Sequence, residues 1–195
     1  MEITQLTRRQ LLRIYFTSYQ HDFPRSERKP LPMLLRSIRS GLMQCYGLFE
    51  DGHLRAYAIL LKQLNADQPV GCLLDYLATL RGHRSQGCGS VFLGLLRTQL
   101  SDVDCLLAEV EDPDCAENAD VRALRQRRIR FYERNGFVDT GLRADLFHTN
   151  FRLIELRLDA ATDAPHAPDT LRSIYLSIYR SFLPEQLYQE MVHIS

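Results

Sequence analysis

Apolar and polar positions alternate along this chain with two periods, one typical of helices and one typical of strands. A helical period follows Thr7-x-x-Gln10, which has the form of an N-terminal capping box. The apolar face of this first helix is formed by Leu11, Leu12, Tyr15, Phe16 and Tyr19. A similar period predicts a last helix, capped by Asp169 and ending before Pro184. Its apolar face is formed by Leu171, Ile174, Tyr175, Ile178, Tyr179 and Phe182.

A strand pair is predicted in the first third of the chain. Segments 45–50 and 54–64 are rich in apolar and aromatic residues, and the tight-turn dipeptide Asp51-Gly52 lies between them. This arrangement predicts an antiparallel hairpin, because Asp-Gly favours the two-residue turns that join the strands of a hairpin. A further turn is expected at 65–69.

A strand, a loop, a helix and a second strand follow in that order. Segment 72–80 is apolar apart from Asp75, which fits a strand buried on both faces. A basic, glycine-containing loop is expected at 81–89, and 103–110 predicts the next strand. The helix between them is marked by Val91, Phe92, Leu95 and Leu96. The order predicts a βαβ unit, whose two strands are parallel neighbours joined by a right-handed crossover.

The second half of the chain predicts a mixture of helix and strand. A helix is expected over 121–134, ending at Asn135-Gly136, a common helix C-terminus. Two more strands are expected at 137–140 and 151–158. Polar or proline-containing stretches that predict loops or linkers lie at 22–32, 112–120 and 160–168. A short helix is expected near 33–40.

Composition narrows the class of protein. The 195 residues, of which 45% are hydrophobic and 25% charged, suit one globular domain with its own core. Lys+Arg and Asp+Glu both number 24, so the chain lacks the basic excess of a dedicated nucleic-acid binder. The first residues lack the apolar stretch of a signal peptide, and no apolar run is long enough to span a bilayer. Five cysteines without a C-x-x-C pair indicate free thiols and a cytoplasmic location.

The loop after the buried strand carries the clearest chemistry. Arg84-x-x-Gly87-x-Gly89 opens a helix, where glycines let the backbone approach a ligand and the helix dipole favours an anion. From spacing alone, a phosphate site and a simple connecting turn are equally good interpretations. A P-loop is excluded because Ser90, not lysine, follows Gly89. A dinucleotide-binding fingerprint is excluded as well, because Phe92 stands where its third glycine would be.

Two segments together carry a resemblance to a known family. Residues 74–90, a strand followed by the Arg84–Gly89 pattern, resemble the acetyl-CoA-binding motif of the GNAT superfamily of N-acetyltransferases. Downstream, Phe131-Tyr132-Glu133-Arg134-Asn135-Gly136-Phe137 resembles that family's Phe-Tyr-x-x-x-Gly-Phe segment. The Glu109-Val110-Glu111 strand is similar to that of uncharacterised bacterial members. The resemblance covers roughly residues 1–158.

The resemblance implies how the coenzyme is held. The first strand of the parallel pair would splay from the second, and the pantetheine arm would pair with the free backbone of Leu77, Ala78 and Thr79. A backbone N–H of Leu77 or Ala78 would stabilise the oxyanion. Residues expected to hold the pyrophosphate are Arg84, Ser85, Gln86, Gly87, Cys88, Gly89 and Ser90. Asn118 is a further candidate for a pantetheine contact.

Direct attack by an amine on the thioester requires two proton transfers. A lysine-type amine, with a pKa near 10.4, is mostly protonated at neutral pH and needs a carboxylate base. The candidates are Asp75, Glu109 and Glu111, with no preference among them; each could instead be a paired or solvated acid. Tyr132 would hydrogen-bond to the departing sulfur, or else serve as a core aromatic.

The arginines of the 121–134 helix could form a solvated face, contact coenzyme phosphates or bind RNA.

The expected fold is therefore an α/β, GNAT-like one: a mixed, mostly antiparallel sheet with one splayed parallel strand pair and flanking helices. Residues 1–158 would form the acyl-CoA N-acyltransferase domain, and 159–195 a helical extension packed on it. The expected reaction transfers an acetyl group from acetyl-CoA to a small-molecule or peptide amine, without a metal. Alternatives are a non-catalytic acyl-CoA sensor and an RNA-directed acetyltransferase. No membrane partner is expected, and a homodimer is compatible with the sequence.

Overall fold

A computed structural model describes residues 1–25, 27–64, 70–158 and 164–195 of the chain. The chain forms two compact units. Unit 1 comprises Met1–Lys62 and Leu74–Gln99, and unit 2 comprises Gln63–Leu73 and Leu100–Ser195. The helices are α1 (Arg8–Ile14), α2 (Gln20–Asp22), α3 (Leu31–Arg39), α4 (Cys88–Gln99), α5 (Ala119–Arg134), α6 (Pro168–Phe182) and α7 (Glu185–Met191).

The described strands form a mixed, mostly antiparallel sheet. They are β1 (Glu2–Gln5), β2 (Met43–Glu50), β3 (His53–Lys62), β4 (Gly71–Thr79), β5 (Cys105–Glu111), β6 (Val138–Leu146), β7 (Thr149–Arg157) and β8 (Val192–Ile194). Their order is β1-β2-β3-β4-β5-β7-β6-β8, in which β4 and β5 are the parallel pair. The predicted fold class is confirmed.

The hairpin of unit 1 forms where the sequence predicts it. Strands β2 and β3 pair antiparallel, from Met43↔Leu61 to Glu50↔His53. Asp51 and Gly52 both have positive φ, 51° and 73°, as a two-residue hairpin turn of the I′ type requires. Apolar side chains of this unit that lie in its core include Leu11, Leu34, Leu48, Tyr57, Leu60, Phe92 and Leu96.

The start of the chain is only partly as expected. The capping box is confirmed, because Gln10 N–H donates to the Thr7 hydroxyl and Thr7 N–H donates to the Gln10 side chain at 2.8 Å. A π-helical turn, Tyr15–Tyr19, continues α1 into α2. Strand β1 was not predicted. It is mostly exposed and has a single apolar side chain, Ile3, so no period marks it.

Unit 2 is built on the antiparallel strands β5, β7, β6 and β8. Strand β5 pairs with β7 from Cys105↔Arg157 to Glu111↔Phe151. Helix α6 packs closely on the unit, since a Cβ added to Gly71 would lie 2.1 Å from the Ile174 side chain. Glycine at this position therefore permits the close approach of a helix.

Several boundaries in unit 2 differ from the predictions. Asp169 is not the cap of α6: the helix begins with Pro168, and Asp169 follows as an acid in the first turn, where it suits the helix dipole. Helix α7 and the three-residue strand β8 were not predicted, because both are too short to show a period. The end of α5 is as predicted, with Asn135 as cap and Gly136 at φ 87°.

The loop predicted at 81–89 is shorter than expected. Arg81–His83 forms a 3-10 turn, and α4 already begins at Cys88. The predicted turn at 65–69 lies outside the described residues, as does the 160–163 part of the predicted linker. In the described parts of the chain, no helix is long and apolar enough to cross a membrane.

Candidate functional site

The loop that leads into α4 in unit 1 is open and locally strained. Ser85 and Gly87 both have positive φ, 62° and 79°, and residues 84–87 are exposed. Gly87 and Gly82 have no atom within 4 Å of an added Cβ, so backbone conformation, rather than crowding, favours glycine at 87. The loop therefore presents an exposed backbone directly before the N-terminus of a twelve-residue helix.

The basic side chains of this loop are already engaged within unit 1. The Arg84 guanidinium donates to Asp22 at 3.1 Å and to the Thr79 carbonyl at 3.2 Å. His83 lies 2.7 Å from an Arg55 guanidinium nitrogen. Arg84 thus ties the loop to the end of β4, and roughly half of its side chain, 52%, remains exposed.

Strand β4 carries the predicted coenzyme-binding backbone and one candidate base. Ala78 is buried, whereas Leu77 and Thr79 are half-buried. The Asp75 side chain is only 4% exposed and accepts a 2.6 Å salt bridge from Lys29. Its other oxygen, Oδ2, has no hydrogen-bond partner among the described residues. Burial raises the pKa of Asp75, and the charge of Lys29 opposes this shift without reversing it.

Aromatic side chains hold the segment that brings Lys29 to Asp75. The Lys29 backbone N–H donates to the Tyr19 hydroxyl at 2.8 Å, and the Lys29 ammonium lies 4.8 Å from the Tyr76 ring centroid. The Tyr76 hydroxyl donates to the Glu27 carbonyl. Burial raises the pKa of Tyr19 to about 12, so this hydroxyl stays neutral. Lys29 is therefore a fixed partner of Asp75.

Glu109 in unit 2 is held by hydroxyl groups. Its Oε1 accepts hydrogen bonds from Tyr175 at 2.6 Å and from Tyr179 at 2.8 Å, both on α6. The two tyrosines lie one helical turn apart, so their hydroxyls converge on one oxygen. Helix α6, which was predicted only as an extension, thus supplies the contacts that orient a candidate catalytic residue.

Glu111, the third candidate base, is held by two arginines of α5. Arg125 donates to Oε1 at 3.1 Å and Arg128 to Oε2 at 2.9 Å. Arg125 also donates to the Asp112 carbonyl and is only 13% exposed, which does not fit a solvated face. Both oxygens of Glu111 are therefore engaged by cations.

Tyr132 on α5 is buried and yet keeps its hydroxyl free of hydrogen bonds within the described part of the chain. Its ring packs between Phe131 and Phe137, with centroids 5.2 and 5.0 Å away. Burial raises the pKa of Tyr132 to about 12, and the charge of Arg128 acts against this shift. The ring lines a cavity of about 40 Å³ together with Ile129, Glu133, Phe137, Asp139, Arg152 and Ile154.

Asn118 caps a helix of unit 2. It is the N-cap of α5, and its side-chain oxygen accepts from the Val121 N–H at 2.9 Å. This contact is sufficient to explain an asparagine at the start of the helix. The predicted contact with pantetheine stays a prediction.

One group of reactive side chains in unit 2 has no counterpart in the predicted motifs. Ligand atoms of Cys105, Glu155 and His166 all lie within 4.8 Å of one another. Burial, reinforced by the charge of Glu155, raises the pKa of the Cys105 thiol. The three residues are far apart along the chain, so no ligand spacing in the sequence could have revealed the group.

Comparison with known proteins identifies the fold. No family model matches the sequence, and the search of curated proteins found no match. Among solved structures, an acetyltransferase of the GNAT family from Bacteroides thetaiotaomicron matches with a TM-score of 0.64 and 21% identity, over 92% of this chain and 98% of that one. The ribosomal-protein-S18-alanine N-acetyltransferase of Escherichia coli matches with a TM-score of 0.55 and 21% identity, over 84% and 97%.

A third solved structure has a similar fold. A spermidine N-acetyltransferase chimera from Vibrio cholerae matches with a TM-score of 0.60 and 10% identity, over 81% of this chain and 96% of that one. At these identities the likeness concerns the fold. The chain therefore has the fold shared by GNAT N-acetyltransferases.

Proposed function

We propose that this chain, which has the GNAT fold, is an N-acetyltransferase of the GNAT superfamily that transfers an acetyl group from acetyl-CoA to a primary amine. The observation that carries the proposal is the exposed loop 84–87, with positive φ at Ser85 and Gly87, at the start of α4. Such a backbone directs N–H groups outward at the positive end of a helix dipole. Pyrophosphate is the part of coenzyme A that suits it.

The residues proposed to bind the donor lie in unit 1. The backbone N–H groups of residues 86–89 bind the pyrophosphate, and the exposed half of Arg84 adds positive charge. The N–H of Ser90, which was also expected to bind it, instead donates to the Gly87 carbonyl at 3.0 Å. The backbone of Leu77, Ala78 and Thr79 pairs with pantetheine, and a backbone N–H of Leu77 or Ala78 stabilises the oxyanion. The salt bridge between Arg84 and Asp22 keeps the loop in place before the coenzyme arrives.

The three candidate bases differ in the groups that hold their carboxylates. Protonated Glu111 would lose its attraction to two arginines, and protonated Asp75 would leave Lys29 without a charged partner. The hydroxyls of Tyr175 and Tyr179 both donate to Oε1 of Glu109 and so hold this carboxylate in one orientation. We propose Glu109, the candidate positioned by α6, as the base that removes the proton from the acceptor amine, directly or through water.

Tyr132 is proposed to stabilise the departing thiolate. A free thiol has a pKa of about 8.5, so complete proton transfer from a tyrosine with a pKa of about 12 is uphill. Donation of a hydrogen bond to the sulfur avoids that cost and still stabilises the developing charge. The buried ring contacts with Phe131 and Phe137 fix the direction of the hydroxyl.

The acceptor is proposed to be a small-molecule or peptide amine in the cytoplasm. The two named acetyltransferases of the same fold act, by their names, on spermidine and on the S18 ribosomal protein's alanine, so the fold alone leaves the acceptor open. A panel of polyamines, amino acids and peptides with free N-termini covers both kinds of acceptor. Turnover is read as acetyl-CoA-dependent release of free thiol together with the mass of the acetylated amine.

Tyr132→Phe separates catalysis from binding. Loss of the hydroxyl should lower kcat by roughly 100-fold, because it removes one positioned hydrogen-bond donor to the developing thiolate. The KM for acetyl-CoA should stay the same, since the ring and its packing remain. Phe131→Leu, which changes the neighbouring ring and keeps Tyr132, is the control. Unchanged kcat in Tyr132→Phe would remove Tyr132 from the mechanism.

A non-catalytic acyl-CoA sensor is the second candidate, favoured by the ion pairs that occupy Asp75 and Glu111. Such a protein would bind acetyl-CoA and release no thiol with any amine of the panel. Binding without turnover would therefore support the sensor, and turnover with any amine would exclude it.

A further inference from the structure

Unit 2 contains a second group of chemically reactive side chains, separate from the residues proposed for acetyl transfer. Cys105 begins β5, Glu155 lies on β7, and His166 lies two residues before α6. Their sulfur, carboxylate and imidazole ligand atoms lie within 4.8 Å of one another. We propose that these three residues form a zinc site with three protein ligands that anchors the start of α6.

The geometry is close to that of a zinc site. Zinc bonds of about 2.0–2.3 Å in a tetrahedral arrangement place neighbouring ligand atoms roughly 3.3–3.8 Å apart. His166 Nδ1 lies 2.5 Å from Glu155 Oε1, and all three ligand atoms are within 4.8 Å. The contact between His166 and Glu155 is a hydrogen bond that zinc would replace, so the two ligand atoms would move apart slightly on binding. A water molecule would complete the tetrahedron, as in other zinc sites with three protein ligands.

The ligand chemistry favours zinc over other cations. A thiolate, an imidazole and a carboxylate form a mixed set that zinc accepts, whereas calcium and magnesium prefer oxygen ligands alone. The Glu155 side chain is 0% exposed, so its negative charge is removed from water. A divalent cation held by this carboxylate would compensate the buried charge.

The fold brings the three ligands to one face of the sheet. Cys105 pairs with Arg157 and Leu107 pairs with Glu155, so the Cys105 and Glu155 side chains point to the same face. Glu109 lies on that face too, because alternate residues of a strand share a face, and α6 covers it through Tyr175 and Tyr179. The His166 backbone N–H also donates to Glu155 at 3.0 Å, which holds the approach to α6 against β7.

The proposed site explains how a helix near the end of the chain can orient a residue in the sheet. Zinc would fix His166 to β5 and β7, and α6 begins two residues later at Pro168. Tyr175 and Tyr179 further along the same helix hold Glu109. Loss of the metal would therefore loosen the helix that positions Glu109, while the acetyl-CoA loop in unit 1 would be unaffected.

The test uses the full chain after removal of metal with a chelator. Zinc is titrated against a competing chromophoric chelator, and bound metal is measured by mass spectrometry after gel filtration. We expect one zinc ion per chain and a higher melting temperature with zinc. Cys105→Ser and His166→Gln should weaken zinc by more than the roughly 10–100-fold that loss of an outer hydrogen-bond partner costs. Cys45→Ser, at a buried free cysteine of unit 1, is the matched control and should bind zinc normally.

Cobalt provides a readout that does not depend on any variant folding. Cobalt(II) bound to the unaltered chain should show a thiolate-to-metal charge-transfer band and the visible absorption of tetrahedral coordination. Circular dichroism then shows whether each variant is folded. Failure of the unaltered chain to bind zinc would overturn the proposal. So would a cobalt spectrum without a thiolate band, or zinc affinity unchanged in folded His166→Gln.

Discussion

Asp75 in unit 1 and Glu109 in unit 2 are both acidic side chains on apolar strands, yet the chain holds them in different ways. Asp75 is tied to the ammonium of Lys29 at 2.6 Å, and its burial raises its pKa. Glu109 accepts hydrogen bonds from two neutral tyrosine hydroxyls of α6. We infer that the two carboxylates have different roles. A carboxylate that balances a buried cation supports structure, and one that hydroxyls hold in a fixed orientation is suited to accept a proton from a substrate.

The same amide replacement at both positions gives the largest expected contrast. Glu109→Gln should lower kcat by roughly 100–10,000-fold, the usual range for a lost general base, because glutamine cannot accept the proton. Asp75→Asn should keep kcat within about tenfold of the unaltered chain. Both variants should bind acetyl-CoA normally. A large loss of kcat in Asp75→Asn with little loss in Glu109→Gln would reverse the assignment of the base.

Removal of Lys29 tests the structural half of the comparison. Lys29→Met leaves the Asp75 carboxylate buried without its cation and should lower the free energy of unfolding by about 3 kcal/mol at neutral pH. The pKa of Asp75, already raised by burial, then rises further. A raised folded-state pKa means that protonation favours the folded chain. The deficit should therefore shrink as the pH falls through that pKa towards about 4.

A double variant provides the control for this pH dependence. Lys29→Met combined with Asp75→Asn carries no buried charge at this pair, so its stability deficit should not vary over the same pH range. Urea unfolding followed by circular dichroism at several pH values measures both variants. A deficit in Lys29→Met that is constant with pH would show that Asp75 is not the group responsible.

The α6 tyrosines give a smaller effect. Tyr175→Phe or Tyr179→Phe removes one hydrogen bond to Glu109, worth about 1 kcal/mol, and should lower kcat by roughly fivefold. The double variant should lose more than the sum of the two, because the second hydroxyl compensates for loss of the first. Tyr188→Phe on α7 is a buried tyrosine control. Full activity in the double variant would mean that α6 does not orient the base.

The fold was largely predictable because its long elements carry strong periods and clear end signals. The Asp51-Gly52 turn, the capping box at Thr7 and Gln10, and the end of α5 at Gly136 are local features that a few residues determine. Strands β1 and β8 escaped prediction because they are edge strands of only four and three residues, too short to show a period. Their structure depends on pairing with distant strands, which no local pattern records.

The candidate site was predictable only in its local part. The loop 84–89 and the segment 131–137 are continuous motifs, so resemblance could identify them. The partners of the three carboxylates come from segments far along the chain: Lys29 for Asp75, Tyr175 and Tyr179 for Glu109, and the α5 arginines for Glu111. Only the fold brings these side chains together, and it is their identity that distinguishes one carboxylate from another.

Binding of acetyl-CoA by the loop before α4 can be measured by calorimetric titration of the full chain. We expect saturable binding at one site per chain. Gly87→Ala should weaken this binding by about tenfold, because φ 79° costs a residue with Cβ about 1–2 kcal/mol. Gly82→Ala, in open space without a positive φ, should bind normally. Absence of saturable binding by the unaltered chain at roughly millimolar acetyl-CoA, the upper end of usual KM values, would show that the loop is not an acetyl-CoA site.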